Sequence, residues 1–210
     1  PEKQTCCGQP MANAGFEHLT GACNDHFIEN FAGYDYIVSP SGSCVLHVKE
    51  HLHSDSLENE AMNIRTRVFE LTEFLVDVLK VKDIRARFNH KVGLHQSCHG
   101  QRGLKLSQMS ELVSPGFSKP ETLLRMVNGL ELIQLDRKDE CCGFGGTFCV
   151  GEEAVSVKMG KDRIEDHVQY GAEFITGNDM SCLMHLEGIL KRQKSTTKVI
   201  HIAEILNTAS

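Results

Sequence analysis

The sequence contains no run of about 18 apolar residues, the length a membrane-spanning helix requires. Residues 1–30 lack a basic start followed by an apolar stretch, so they do not read as a secretory signal. Basic residues are in deficit: 22 Lys and Arg stand against 28 Asp and Glu, a net charge of -6, which argues against a nucleic-acid-binding surface. No lone general base or nucleophile stands out. The glycine-rich turn at 143–146 has the spacing GxGG, not the GxGxxG of a dinucleotide fingerprint. What remains is a chain of 210 residues, 40% hydrophobic and 24% charged, long enough to bury a core as one domain or two modest ones.

Cysteine is what the sequence does have. The nine, at 6, 7, 23, 44, 98, 141, 142, 149 and 182, fall short of the roughly 8 to 10% of a disulfide scaffold. Nine cannot all pair, and the neighbours Cys6-Cys7 and Cys141-Cys142 close a disulfide only with strain. Reduced thiols in a reducing compartment, serving as metal or redox ligands, fit better than secreted staples.

An internal repeat organises these cysteines. Each doublet is followed by glycine, as Cys6-Cys7-Gly8 and Cys141-Cys142-Gly143. Residues 37–48, IVSPSGSCVLHV, and 175–186, ITGNDMSCLMHL, share an apolar stretch, a polar loop, Ser-Cys, two apolar residues and a histidine, 138 positions apart. Cys44 lies 37 positions after Cys7, and Cys182 lies 40 after Cys142.

The pattern around them alternates strand and helix. KVGLHQ (91–96), ELIQL (131–135), EFITG and KVIHI read as strands, separated by helices at ETLLRMVNG, EEAVSVKMGKDRIEDHVQYG and CLMHLEGILKRQ. This is the signature of βαβ units and a parallel sheet. The first half repeats the later part: a helix over about 17–31, the strand YDYIV and a helix from Ser43. LENEAMNIRTRVFELTEFLVDVLKV reads as one long helix linking the halves. The fold expected is α/β, two pseudo-equivalent halves with parallel sheets flanked by helices, divided as 1–85 and 86–210. A counterpart of Cys98 falls upstream of Pro1, so an amino-terminal strand, helix and strand with one more cysteine are expected to precede the first half.

Cys98, Cys141 and Cys182 each follow a strand of one parallel sheet and so share its carboxyl edge, where open α/β folds bind ligands. Cys182 also opens a helix, whose amino-terminal dipole favours thiolate. With Cys142 they make four thiolates, the number a [4Fe-4S] cluster or a closed zinc site requires. Cys6, Cys7 and Cys44 form the corresponding incomplete set. Gly143, Gly145 and Gly146 are expected to let backbone N–H groups approach cluster sulfurs. Cys23 and Cys149 have no counterparts and read as packing thiols. His47 and His185 stand three residues after the repeated cysteines, on the cysteine face, where packing competes with a role beside the site. His95 and His99 flank Cys98; strand packing and a solvated loop compete there with zinc ligation. The run 47–55 reads as a solvated helix end.

A CCG motif with cysteines about 40 residues to either side, complete in the second half and partial in the first, resembles the CCG or cysteine-rich domain family. That family includes the cysteine-rich subunit of heterodisulfide reductase and the iron-sulfur subunit of glycolate oxidase. QTCCGQP, SPSGSC, ECCGFGGTF and NDMSCLMH carry the resemblance. It implies an iron-sulfur electron-transfer subunit of an L-lactate dehydrogenase complex, together with a ferredoxin-type iron-sulfur subunit and a third subunit. Such a subunit is not catalytic alone; it is cytoplasmic, at most peripheral to the inner face of the membrane. Alternatives are a heterodisulfide-reductase-like or other 2-hydroxy acid oxidase subunit, and a zinc-binding structural or assembly protein. The reductase subunits carry Cys-x-x-Cys where this chain has Ser41-x-x-Cys44 and Asp179-x-x-Cys182, so an ordinary [4Fe-4S] site is expected rather than a noncubane one. Asp179 is either an oxygen ligand or the cap of the helix that follows it.

Overall fold

A computed structural model describes residues 1–113 and 115–209. In the second half, β3 (Lys91–Leu94), β4 (Glu131–Leu132), β5 (Phe174–Gly177) and β6 (Lys198–His201) form a wholly parallel sheet in the order β4-β3-β5-β6. Its central strands are short apolar runs, with Val92 and Ile175 fully buried, as strands covered on both faces must be. Gly93 in β3 leaves room for His167 of α8 (Glu153–Val168), whose ring fills the space a β-carbon would take.

Helix α9 (Met180–Arg192) packs on β5, β6 and α8. Leu183, Leu186, Ile189 and Leu190 recur at helical spacing on its buried face. Each such side chain, fully buried, contributes about 1.5–3 kcal/mol of transfer free energy. Helices α6 (Lys119–Leu124) and α10 (Ile202–Leu206) pack together in a neighbouring core with Val92, Leu94 and Leu124.

The first half carries β1 (Ile37–Ser39) and β2 (Val68–Glu70), also parallel, with α2 (Gly21–Phe31), α3 (Gly42–His51) and α4 (Glu58–Arg67) around a second core. β1 and α3 correspond to β5 and α9, the strand-loop-helix repeat read from the sequence. The long linking helix expected over 57–81 is not formed. Helix α4 stops at Arg67, β2 follows, and the chain continues as α5 (Leu71–Glu73) and a π-helical turn at Phe74–Val78. Val68 and Glu70 are buried against the first core, and pairing with β1 outweighs helical propensity there. β2 is the counterpart of β6: Glu70 pairs with Ser39 as His201 pairs with Gly177. Both strands end in a capping box, Glu70 with Glu73 and His201 with Glu204.

The two halves meet through equivalent loops, the β1–α3 loop against the β5–α9 loop. Gly42 N–H donates to Asn178 O (3.4 Å), and Asn178 Nδ2 donates to Glu70 Oε1 (2.9 Å). Glu70 is fully buried, and desolvation pushes its carboxyl pKa up against the hydrogen bonds from Thr72 and Asn178. Helix α3 also packs on the turn at His99–Gly103 that follows Cys98, where Leu46 fills the space beside Gly103. The carboxyl edges of the two sheets are thereby brought together.

Candidate metal centre

Each Cys-Cys-Gly segment bends back on its own sulfurs. Gly143 has φ +87°, a left-handed conformation that costs L side chains, and its N–H donates to Cys141 Sγ at 3.4 Å. Phe144 N–H donates to Cys142 Sγ at 3.5 Å. The first copy repeats the turn: Gly8 has φ +89° and donates to Cys6 Sγ at 3.5 Å. Gly145 and Gly146 also have positive φ, and they continue the turn into α7 (Phe148–Gly151). Backbone N–H groups therefore point at sulfur in both copies, an environment that favours thiolate.

The strands and helices converge four thiols into a row. Cys98 follows β3, Cys141 and Cys142 follow β4, and Cys182 lies in the first turn of α9. Cys98 interacts with Cys141, Cys141 with Cys142, and Cys142 with Cys182. Cys142 and Cys182 are buried, Cys141 is half-buried and Cys98 is exposed, so the row runs from the core to the surface. In the first half Cys7 and Cys44 interact in the same way, while Cys6 is exposed. No disulfide joins cysteines among the described residues.

The neighbours divide the protons unequally. Hydrogen bonding with Cys142 lowers the Cys182 thiol to about 6, with burial opposing and His95 assisting. Cys44 is likewise lowered to about 6, chiefly by Cys7 and against burial, with help from Ser41. Cys141 is held well below an ordinary thiol by hydrogen bonds with Cys142 and Cys98, and the Gly143 N–H adds to this. Cys7, Cys98 and Cys142 are raised as the protonated partners, with burial adding to the shift. Both rows can thus present anionic sulfur at neutral pH, the form that binds metal.

His95, one residue past β3, is 1% exposed. Its ligand nitrogen and the sulfurs of Cys142 and Cys182 lie within 4.8 Å of one another. Neither ring nitrogen has a hydrogen-bond partner of regular geometry, although the ring is close enough to Cys182 to depress its pKa. An orphaned buried imidazole beside a row of thiols fits a group that binds there. Sequence reasoning weighted His95 toward strand packing; its position at the carboxyl end of a central strand, three residues before Cys98, was the available signal. Arg163 of α8 is fully buried, and its charge interacts with Cys142. It pairs with Asp166 at 3.2 Å and donates to Arg137 O, holding the loop that leads to Cys141.

The remaining residues lie as follows. Cys23 packs on Gly8 as Met159 packs on Gly143, so the two side chains occupy equivalent places. Cys149 Sγ donates to Gly146 O at 3.1 Å. His47 is buried against the Cys7 backbone, and His185 lies 3.3 Å from Ser156 O beside Phe144. His99 Nδ1 lies 3.9 Å from Cys98 Sγ. Asp179 makes no side-chain cap to α9; it reaches instead into the other half, where Ser43 N–H (2.9 Å) and Ser41 Oγ (3.2 Å) donate to its Oδ1. The capping role expected for Asp179 is therefore performed on α3, because the facing β1–α3 loop brings that helix terminus within reach.

A parallel α/β fold with a cysteine doublet and a helix-borne cysteine at one sheet edge defines a class. Residues 1–49 and 92–187 match the CCG family, described as the cysteine-rich domain, and the chain belongs to that family. It is similar to "Lactate utilization protein A" of Bacillus subtilis (strain 168), at 40% identity over 99% of this chain and 85% of that protein. Proteins of the same name from Geobacillus sp. (strain WCH70) and Shouchella clausii (strain KSM-K16) are 40% and 42% identical. These alignments cover 99% of this chain and 85% and 84% of those proteins. Among the described residues no helix is long and apolar enough to cross a membrane.

Proposed function

We propose that this chain is the iron-sulfur electron-transfer subunit of a lactate-utilisation complex that oxidises L-lactate to pyruvate. The carrying observation is the row Cys98-Cys141-Cys142-Cys182, in which each thiol interacts with the next and the N–H groups of Gly143 and Phe144 meet the sulfurs of the doublet. The family and the name of the relatives support the lactate context. On this reading Cys98, Cys141, Cys142 and Cys182 hold a [4Fe-4S] cluster, and Cys6, Cys7 and Cys44 belong to a second site. Residues 1–85 and 86–210 are the two CCG domains. The cluster supplies one-electron storage and transfer.

The chain's own residues do the rest. The N–H groups of Gly143, Phe144 and Gly8 stabilise negative charge on sulfur, and Arg163 supplies a buried cation whose charge interacts with Cys142. Exposed Cys98 brings the row to the surface, where a ferredoxin-type subunit can exchange electrons. A third subunit completes the complex, in the cytoplasm. Structural zinc is the second reading, favoured by the approach of His95 to Cys142 and Cys182.

The test is lactate-dependent reduction of an acceptor by the assembled complex. Cys182→Ser is expected to abolish it, and the isolated subunit is expected to turn over no lactate. Full activity of a complex carrying Cys182→Ser, or turnover of lactate by the isolated chain, overturns the proposal.

A further inference from the structure

Ser41 and Asp179 occupy equivalent positions, each preceding a cysteine-bearing helix, yet they behave differently. Ser41 is short and caps its own helix, accepting from Cys44 N–H at 3.4 Å. Asp179 leaves its own helix without a side-chain cap and accepts on Oδ1 from Ser43 N–H and the Ser41 hydroxyl across the boundary between the halves. Its other oxygen, Oδ2, is buried without a partner, and a β-carbon placed on Gly42 would lie 3.1 Å from it. The residue is 1% exposed.

We propose that Asp179 is a positioning residue shared by both cysteine rows, fixing the helix that presents Cys44 while setting one carboxylate where the helices bearing Cys44 and Cys182 both begin. The reading rests on the iron-sulfur function proposed above. An acceptor from one half that closes the first turn of a helix in the other ties the orientation of Cys44 to the loop that carries Cys182. A carboxylate with one oxygen unpaired in a buried site acts on nearby charges with little screening. Neighbouring Asn178 is held by Glu70 and Thr72 of the first half, so the loop is clamped at two successive residues.

The test uses the full chain, purified anaerobically, with Asp179→Ala and Asp179→Asn. Amide exchange at Ser43 is expected to accelerate about 2- to 30-fold in Asp179→Ala, the range for a lost helix cap. Exchange at 180–183 is expected to stay unchanged. In Asp179→Asn the amide oxygen still accepts from Ser43, so exchange stays near wild type, while loss of the charge raises the midpoint potential of the Cys182 centre in an anaerobic redox titration. Faster exchange confined to 180–183 overturns the proposal, and so does an unchanged midpoint potential in Asp179→Asn. Wild-type protein that binds no iron refutes the iron-sulfur reading itself, and exchange at Ser43 still decides the cap.

Discussion

Gly143→Ala and Gly8→Ala separate two costs that a single substitution confounds. Both glycines adopt nearly the same left-handed conformation, φ +87° and +89°. Each substitution therefore carries about 1–2 kcal/mol for an L side chain in that region. Their surroundings differ. A β-carbon at Gly143 would lie 2.6 Å from Ser156 O and 2.8 Å from Met159 Cβ, whereas at Gly8 the nearest atoms, of Thr20, stand at 3.4 Å. Overpacking a filled site costs about 1–3 kcal/mol more. Gly143→Ala is thus expected to destabilise the chain by about 2–5 kcal/mol, and Gly8→Ala by about 1–2 kcal/mol. The assay is urea unfolding of the metal-free, reduced protein, followed by circular dichroism and by amide exchange within each half. Because the turn must shift, Gly143→Ala is also expected to lower iron content by pulling its N–H from Cys141. Equal losses for the two variants, or a milder loss at Gly143, refute the packing argument.

Leu183→Ala, at a fully buried position on α9, is expected to cost about 2–5 kcal/mol in the same unfolding assay. His167 is buried, and desolvation, with the Arg163 charge adding, holds its imidazole well below the ordinary 6.5. The folded chain keeps this ring neutral while the unfolded chain binds a proton below 6.5, so stability is present above that pH and falls as pH drops. The slope approaches about 1.4 kcal/mol per pH unit, and His167→Gln is expected to flatten it in urea midpoints measured at successive pH values. Replacing His95 by Phe is expected to keep the fold and alter the visible spectrum of the metal-loaded protein; an identical spectrum removes His95 from the site.

The repeat was legible because its residues recur in order at fixed spacing, and the cysteine positions followed from strands that end at one sheet edge. β2 was not legible. Val68, Phe69 and Glu70 continue the helical spacing of 57–67, and three residues are too few for alternation to show. A signal did exist in the parallel between Phe69-Glu70-Leu71-Thr72-Glu73 and Ile200-His201-Ile202-Ala203-Glu204, each an apolar residue followed by a capping box. The reach of Asp179 into the other half had no local signature, since Asp before a helix reads as that helix's own cap. His95 was undervalued because burial and proximity to Cys142 and Cys182 arise only when three strands are assembled.

The most direct measurement is iron and acid-labile sulfide in anaerobically purified protein, read with electron paramagnetic resonance, for wild type, Cys142→Ser and Cys149→Ser. Iron and sulfide in equal amounts, with a cluster signal on anaerobic reduction, are expected in wild type, retained in Cys149→Ser and lost from the second-half site in Cys142→Ser. A colourless protein carrying stoichiometric zinc, or a cluster undiminished in Cys142→Ser, would contradict the iron-sulfur reading.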